Sequence, residues 1–278
     1  MLGSVSGELG LRKFLESRGH QLVVTSDKDR PNSKFDQELV DADVVISQPF
    51  WPAYLTRERI AKAPKLKLAL TAGIGSDHVD LQAAIERGIT VAEETWSNSI
   101  SVAEHAAMMI ISLVRDYIPA HDWARNGGWN IADCVQRSYD VEGMQLGAVG
   151  AGRIGVALMR RMKPFDMKLH YFDHHRQSAA IEQELGLIFH PSVEDLVQAC
   201  DVVSIQCPLT PETRHMFNDA LIGKMKRGAY IVNCGRGEIC DENAVVRALE
   251  SGRPRGIRGR CVVPATRPQG PPLADDAP

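Results

Sequence analysis

The sequence predicts an α/β protein built on parallel sheets covered by helices, and three observations carry that prediction. Short apolar strands alternate with helical segments along most of the chain. One strand runs into a helix through a glycine-rich turn, Gly150-Ala151-Gly152-Arg153-Ile154-Gly155. Loops of unusual composition follow the ends of predicted strands, which is where open α/β sheets place their ligands.

In order, residues 6–18 read as a short helix and Gln21–Thr25 as a strand. Asp43–Ser47 (DVVIS) is a short apolar strand, and the proline-flanked loop Gln48-Pro49-Phe50-Trp51-Pro52 after it is rigid. Leu66–Thr71 is another strand, meeting Ala72-Gly73-Ile74-Gly75-Ser76. Asn98 leads into a long helix. Ser101 and Glu104 have capping-box spacing, and Val102, Ala106, Met109, Ile110, Leu113 and Tyr117 share one face. That apolar stripe is suited to a domain core or a contact with a second copy. Further strands are expected at Leu146–Val149, Lys168–Phe172, Asp201–Gln206 and Ala229–Asn233, with helices between them and one more at Asp241–Leu249.

The glycine turn has a physical reading. Gly150 permits a tight turn, Gly152 lets backbone N–H groups approach a pyrophosphate, and Gly155 lets helix and strand pack closely. The helix N-terminus adds partial positive charge. Asp173, at the end of the next apolar strand, stands 18 residues beyond Gly155, about where a carboxylate accepts hydrogen bonds from an adenosine ribose. Strand, turn, helix and terminal acid in register make a dinucleotide site. Asp173 would repel a 2′-phosphate, so NAD is expected rather than NADP. Two further loops, Cys207-Pro208-Leu209-Thr210-Pro211-Glu212-Thr213 and Cys234-Gly235-Arg236-Gly237-Glu238, follow predicted parallel strands.

Composition narrows the class. The 278 residues hold one large or two smaller α/β domains, with 44% hydrophobic and 24% charged residues. A net charge of −3 argues against broad electrostatic binding to nucleic acid or an anionic membrane. No apolar run reaches transmembrane length, and Met1-Leu2-Gly3-Ser4 does not begin a signal peptide. The six cysteines form no C-x-x-C pair and no zinc spacing, so reduced thiols and a cytoplasmic location are expected, with no metal site. His174 and His175 read as solvated or near an adenine edge.

Together, G-A-G-R-I-G, P-L-T-P-E-T and V-N-C-G-R-G resemble the D-specific 2-hydroxyacid dehydrogenase superfamily. The segments S-Q-P-F-W-P-A-Y-L, T-A-G-I-G-S-D-H-V-D, W-S-N-S-I-S-V-A-E-H and R-N-G-G-W-N-I-A-D-C resemble NAD-dependent formate dehydrogenases more closely, almost continuously from Leu2 to about Arg253. The resemblance implies two Rossmann-like, doubly wound parallel-sheet domains, an active site between them, and a homodimer. Residues 1–98 would form the substrate domain, lacking its first strand, and residues 99–256 the NAD-binding domain; both are expected to be incomplete. It also implies roles. Asn98 and Arg236 would hold the formate carboxylate with help from the backbone at Ile74, while Pro49 and Phe50 wall off the substrate. Arg153 and Ile154 would sit over the pyrophosphate, Asp173 on the ribose, and Ser99, Pro208, Leu209, Thr210, Pro211, Glu212 and Cys234 around the rest of the NAD. Plainer alternatives stand beside these roles: Arg236 as a loop cap, Asn98 as a helix-start residue, Phe50 and Ile74 as core.

The sequence also departs from that family. Thr210 stands where histidine is frequent. After about Arg253, where the family continues G-Y-A-G-D-V-W-F-P-Q-P, this chain has Gly256-Ile257-Arg258-Gly259-Arg260-Cys261-Val262-Val263-Pro264-Ala265-Thr266. Codons for Asp-Val-Trp-Phe-Pro-Gln-Pro, read from their third base, encode Cys-Val-Val-Pro-Ala-Thr, the sequence of Cys261–Thr266. A reading-frame shift between about Arg253 and Ile257 is therefore expected, making residues 257–278 an aberrant, disordered tail whose composition does not suit a buried strand. The family's catalytic glutamine and histidine have no counterpart, and none of the nine histidines stands in their context. The expectation is a formate dehydrogenase, truncated at both ends, with little or no activity. The alternatives are a D-2-hydroxyacid dehydrogenase and a non-catalytic NAD-binding remnant or regulator.

Overall fold

A computed structural model describes residues 10–48, 52–94, 96–129, 131–251 and 256–259. The chain separates into two compact units, Met1–Thr95 and Trp96–Pro278. The division thus falls three residues before the 98/99 break read from the sequence, because the approach to the long helix belongs with that helix.

In the first unit, β1 (Val44–Ser47), β2 (Leu68–Thr71) and β3 (Thr90–Glu93) form a three-stranded parallel sheet in that order. Val44 pairs with Leu68, and Leu68 with Thr90. Helices α1 (Leu11–Glu16), α2 (Lys34–Leu39), α3 (Arg57–Ala61) and α4 (Leu81–Glu86) connect and cover it. Each of the last three starts at a side-chain cap: Ser33 in a reciprocal box with Asp36, then Thr56 and Asp80. Leu39, Leu55, Ile60, Ala63 and Ala84 are almost wholly buried in its core. Two expectations change here. The N-terminal helix is shorter than 6–18 (residues 6–9 lie outside the described ones), and Gln21–Thr25 forms no strand. A strand exists only through its hydrogen-bond ladder; this segment pairs with no described strand, and Val23 and Val24 stay exposed.

The second unit begins with α5 (Ser99–Val114), α6 (Tyr117–Arg125) and α7 (Ile131–Arg137). It then alternates β4 (Gln145–Val149), α8 (Arg153–Met162), β5 (Lys168–Phe172), α9 (Ala179–Leu185), β6 (Ile188–Phe189), α10 (Val193–Ala199), β7 (Val202–Ile205), α11 (Asp219–Ile222), β8 (Tyr230–Asn233), α12 (Glu242–Glu250) and β9 (Gly256–Gly259). All six strands are parallel, in the order β6-β5-β4-β7-β8-β9. This is the doubly wound arrangement in which strand order reverses between β4 and β7, leaving a crevice at their carboxyl ends.

The strands alternate residues between two cores. Leu146, Ala148, Tyr171 and Val232 meet α5 and α8 on one face; Val149, Val203, Ile205 and Ile231 meet α10, α11 and α12 on the other. In α5, Val102, Ala106, Met109 and Ile110 are buried as their spacing predicts. Tyr117 is not: the chain reverses at Asp116 (φ +50°), and Tyr117 opens the next helix with 59% exposure. The capping box at Ser101 and Glu104 is also corrected. The helix begins at Ser99 with Asn98 as N-cap, three residues before Ser101, and Glu104 instead accepts from the Arg161 guanidinium at 3.0 Å.

β9 corrects a further expectation. Residues 256–259 pair in register with β8, Tyr230 opposite Gly256 and Asn233 opposite Gly259, so an irregular segment does not start at 257. Parallel pairing is made by backbone groups and does not need the apolar composition by which the segment was judged. Residues 260–278 lie outside the described ones.

Candidate active site

The turn between β4 and α8 is built around three glycines with three separate steric reasons. Gly150 has φ +97°, and a Cβ there would lie 2.9 Å from the Cys207 backbone nitrogen. The loop after β7 therefore closes directly on the turn. A Cβ on Gly155 would come within 2.2 Å of the Gly150 carbonyl oxygen, so the first turn of α8 can approach the strand end only without a side chain. Gly152, the N-cap of α8, is different: a Cβ there meets nothing within 4 Å. Its bare face is open space at a helix N-terminus whose first N–H groups have no intrahelical carbonyl. The absence of a side chain is unnecessary for folding at this position and fits the close approach of a diphosphate.

Asp173 follows β5 and binds the turn directly. Its Oδ2 accepts from the Ala151 N–H at 2.8 Å, and its Oδ1 accepts from the His175 N–H at 3.0 Å. Arg153, the first residue of α8, lays its guanidinium 4.1 Å above the Trp96 ring, a cation–π contact. Trp96 is 67% exposed and holds φ +81°, a strained value for a tryptophan. It escaped the sequence reading because nothing in the local pattern links it to residue 153.

The loop after β7 is shaped by Thr213. Its hydroxyl accepts from the Thr210 N–H at 2.7 Å and donates to the Pro208 carbonyl at 2.8 Å, closing Pro208–Thr213 into a compact turn. A hydrogen bond with Thr210 is the main influence holding the Glu212 carboxyl below its ordinary range. Burial pushes the Cys207 thiol up to about 11, so it stands as a neutral thiol.

At the end of β8, Asn233 organises the arginine loop. Its Oδ1 accepts from the Gly235 N–H at 3.0 Å, and its Nδ2 donates to the Arg236 carbonyl at 2.9 Å. A Cβ on Gly235 would lie 2.8 Å from the Cys207 carbonyl oxygen. The loops carrying Gly150, Cys207 and Gly235 are thus packed backbone to backbone at the carboxyl edge of one sheet. Arg236 caps the short 3₁₀ turn Gly237–Ile239 through its backbone carbonyl, and its side chain is half-buried. Asn233 and Thr213 were both missed as functional residues; they act on loop backbones, a role that leaves no sequence motif of its own.

The start of α5 supplies two unsatisfied groups. Asn98 is the N-cap residue but makes no side-chain cap bond, and its Oδ1 is a buried atom without a partner. Ser99 is 3% exposed, and its Oγ likewise has no partner. A buried polar atom left unpaired costs about 1–3 kcal/mol, and such groups fit a ligand that completes them. In the first unit, Ile74 stands after β2 between Gly73 (φ +150°) and Gly75 (φ +103°) and is half-buried. Pro49 and Phe50 lie outside the described residues. Among the described residues no group of histidine, cysteine, aspartate or glutamate side chains could hold a metal ion, and no helix is long and apolar enough to cross a membrane.

Known proteins resemble this chain in sequence and fold. The D-isomer specific 2-hydroxyacid dehydrogenase NAD binding domain matches residues 107–269. Formate dehydrogenase of Pseudomonas sp. (strain 101) is 65% identical over 272 residues, 98% of this chain and 68% of that protein. The solved formate dehydrogenase of Granulicella M. superposes with a TM-score of 0.91 at 64% identity, covering 96% of this chain and 71% of that one. NAD-dependent formate dehydrogenase from Staphylococcus aureus, solved with NAD, gives 0.86 at 41% identity over 95% of this chain and 78% of that one. These matches run past residue 253, where the motif-level resemblance was expected to stop. By identity, coverage and fold, the chain belongs to the NAD-dependent formate dehydrogenase family of the D-2-hydroxyacid dehydrogenase superfamily.

Proposed function

We propose that this chain oxidises formate with NAD, giving carbon dioxide and NADH. The observation that carries the reading is the convergence of the glycine turn, the Pro208–Thr213 turn and the arginine loop at one sheet edge, in a chain 65% identical to a formate dehydrogenase. Gly150, Gly152 and Gly155 with Arg153 and Ile154 hold the pyrophosphate, and Asp173 holds the adenosine ribose. Ser99, Pro208, Leu209, Thr210, Pro211, Glu212 and Cys234 surround the rest. NAD, when bound, supplies the hydride acceptor.

Formate oxidation releases no hydroxyl proton, so the site needs orientation and electrostatics more than a general base. Arg236 presents a planar guanidinium fork to the formate carboxylate, and Asn98 offers a neutral donor through its amide. Hydrogen bonds to a charged group contribute about 1.5–3 kcal/mol each. The substrate-walling roles of Ile74, Pro49 and Phe50 rest on the resemblance alone.

The chain is further proposed to form a homodimer. Ile100, Met108, Tyr117, Ile118 and Trp129 lie exposed on or beside α5 and α6, an apolar set that a second copy would cover. The thiols of Cys200, Cys207 and Cys240 suit a reducing, cytoplasmic compartment. Incubating the purified protein with NAD and formate, and following NADH absorbance, tests the central reading. Formate-dependent NADH formation with no NADH consumption on glyoxylate or hydroxypyruvate is expected. Turnover of the latter two would favour a hydroxyacid dehydrogenase, and NAD binding without any hydride transfer a regulator.

A further inference from the structure

We propose that Gln177 is a positioning residue for the dinucleotide, setting the orientation of the Ala151–Gly152 peptide at the glycine turn. The inference rests on the reading of that turn as a pyrophosphate cradle.

The Gln177 side-chain amide donates from Nε2 to the Ala151 carbonyl at 2.8 Å. Only the NH2 end of the amide can serve a carbonyl, so the assignment of its two ends is not open. The neighbouring peptide is held from its other end, where the Ala151 N–H donates to Asp173 Oδ2 at 2.8 Å. In a trans peptide the C=O and N–H point in opposite directions. The Gly150 carbonyl accordingly faces away from Asp173 and toward Gly155, where a Cβ would meet it at 2.2 Å. By the same geometry, a carbonyl of Ala151 turned to Gln177 sends the Gly152 N–H to the opposite side. Two consecutive peptides of the turn are therefore clamped from the loop that follows β5.

Gln177 is itself anchored. Its backbone N–H donates to the Tyr171 hydroxyl at 2.9 Å, and that hydroxyl donates to Glu182 Oε1 at 2.6 Å. Arg176 closes the same carboxylate through two hydrogen bonds, Nε to Oε1 at 2.9 Å and Nη2 to Oε2 at 3.1 Å. Tyr171 is fully buried within β5, and Glu182 sits in α9, so the clamp is braced by two elements rather than by a loose loop. A purely structural tie would affect every ligand of the site alike. A positioning role affects only ligands with a diphosphate.

The test compares dissociation constants of NAD, ADP-ribose and adenosine for the full chain and for Gln177→Ala and Gln177→Glu. Loss of one neutral hydrogen bond predicts about a fivefold weaker binding of NAD and ADP-ribose in Q177A, with adenosine unchanged. Q177E keeps the side-chain length but turns a carboxylate on the carbonyl, and predicts a loss of about tenfold or more. If Q177A melts early, Q177E supplies the same comparison at conserved volume. Equal affinity of variants and parent for ADP-ribose, or an equal loss for adenosine and ADP-ribose, would overturn the proposal. A parent chain that binds neither NAD nor ADP-ribose would instead remove the cradle reading, and this inference with it.

Discussion

Replacing Gly152 by alanine should separate binding from folding. Its φ of −66° is accessible to any residue, and an added Cβ meets no atom within 4 Å. Folding should therefore change by less than about 1 kcal/mol, because the reduced freedom of the unfolded chain is offset by the poorer fit of alanine at a helix N-cap. The methyl group instead fills the face where a diphosphate would approach, so the NAD dissociation constant should rise at least about tenfold, or about 1.4 kcal/mol. Gly155→Ala is the matched control. Its Cβ would stand 2.2 Å from the Gly150 carbonyl oxygen, so backbone must move. Overpacking of this kind costs about 1–3 kcal/mol, a fall of several degrees in melting temperature for a unit of this size. Thermal melting and NAD titration by calorimetry on both variants give the comparison. A G152A protein that binds NAD like the parent, or melts early like G155A, would refute the argument that open space at this glycine is reserved for ligand.

Further outcomes follow from other parts of the site. Arg236→Lys keeps the charge but loses the planar fork, and should lower formate-dependent NADH formation about 100-fold while leaving the NAD dissociation constant within about twofold. Asp173 should make the parent bind NADP at least about tenfold more weakly than NAD, and Asp173→Ser should narrow that ratio; equal affinities in the parent would count against the ribose assignment. His170, on β5, touches His190 at 2.8 Å and Gln145 at 2.6 Å. Burial, then the neighbouring His190, Lys226 and Lys168 against an opposing Asp201, lowers its pKa to about 4 from 6.5. The unfolded chain therefore binds more protons in that window, so stability present above pH 6.5 should decline toward pH 4, by up to about 3 kcal/mol. Urea unfolding at the two pH values measures this, and His170→Gln should flatten the slope.

The sequence made the second unit legible to the level of its chemistry. Leu146–Val149, Lys168–Phe172 and Ala229–Asn233 were readable as strands because buried parallel strands are continuous apolar runs. The turn Gly150–Gly155 and its partner Asp173 were readable because each glycine answers a local steric demand. Short, polar or glycine-bearing strands were not readable. Thr90–Glu93, Ile188–Phe189 and Gly256–Gly259 are strands only because a neighbour offers a ladder, whereas Val23 and Val24 have the right residues and pair with no described strand.

By itself, then, the order of residues determined the α/β class, the dinucleotide turn, the acid that follows it and the family. Those features depend on interactions a few residues apart or on a motif. Tertiary structure alone decided that Cys207 packs against both Gly150 and Gly235. It likewise decided that Thr213 and Asn233 shape the loops around them, and that Gln177 grips the carbonyl of Ala151 across 26 residues of chain. Such contacts depend on which strands become neighbours, and that is set by the packing of the whole sheet rather than by any segment of it.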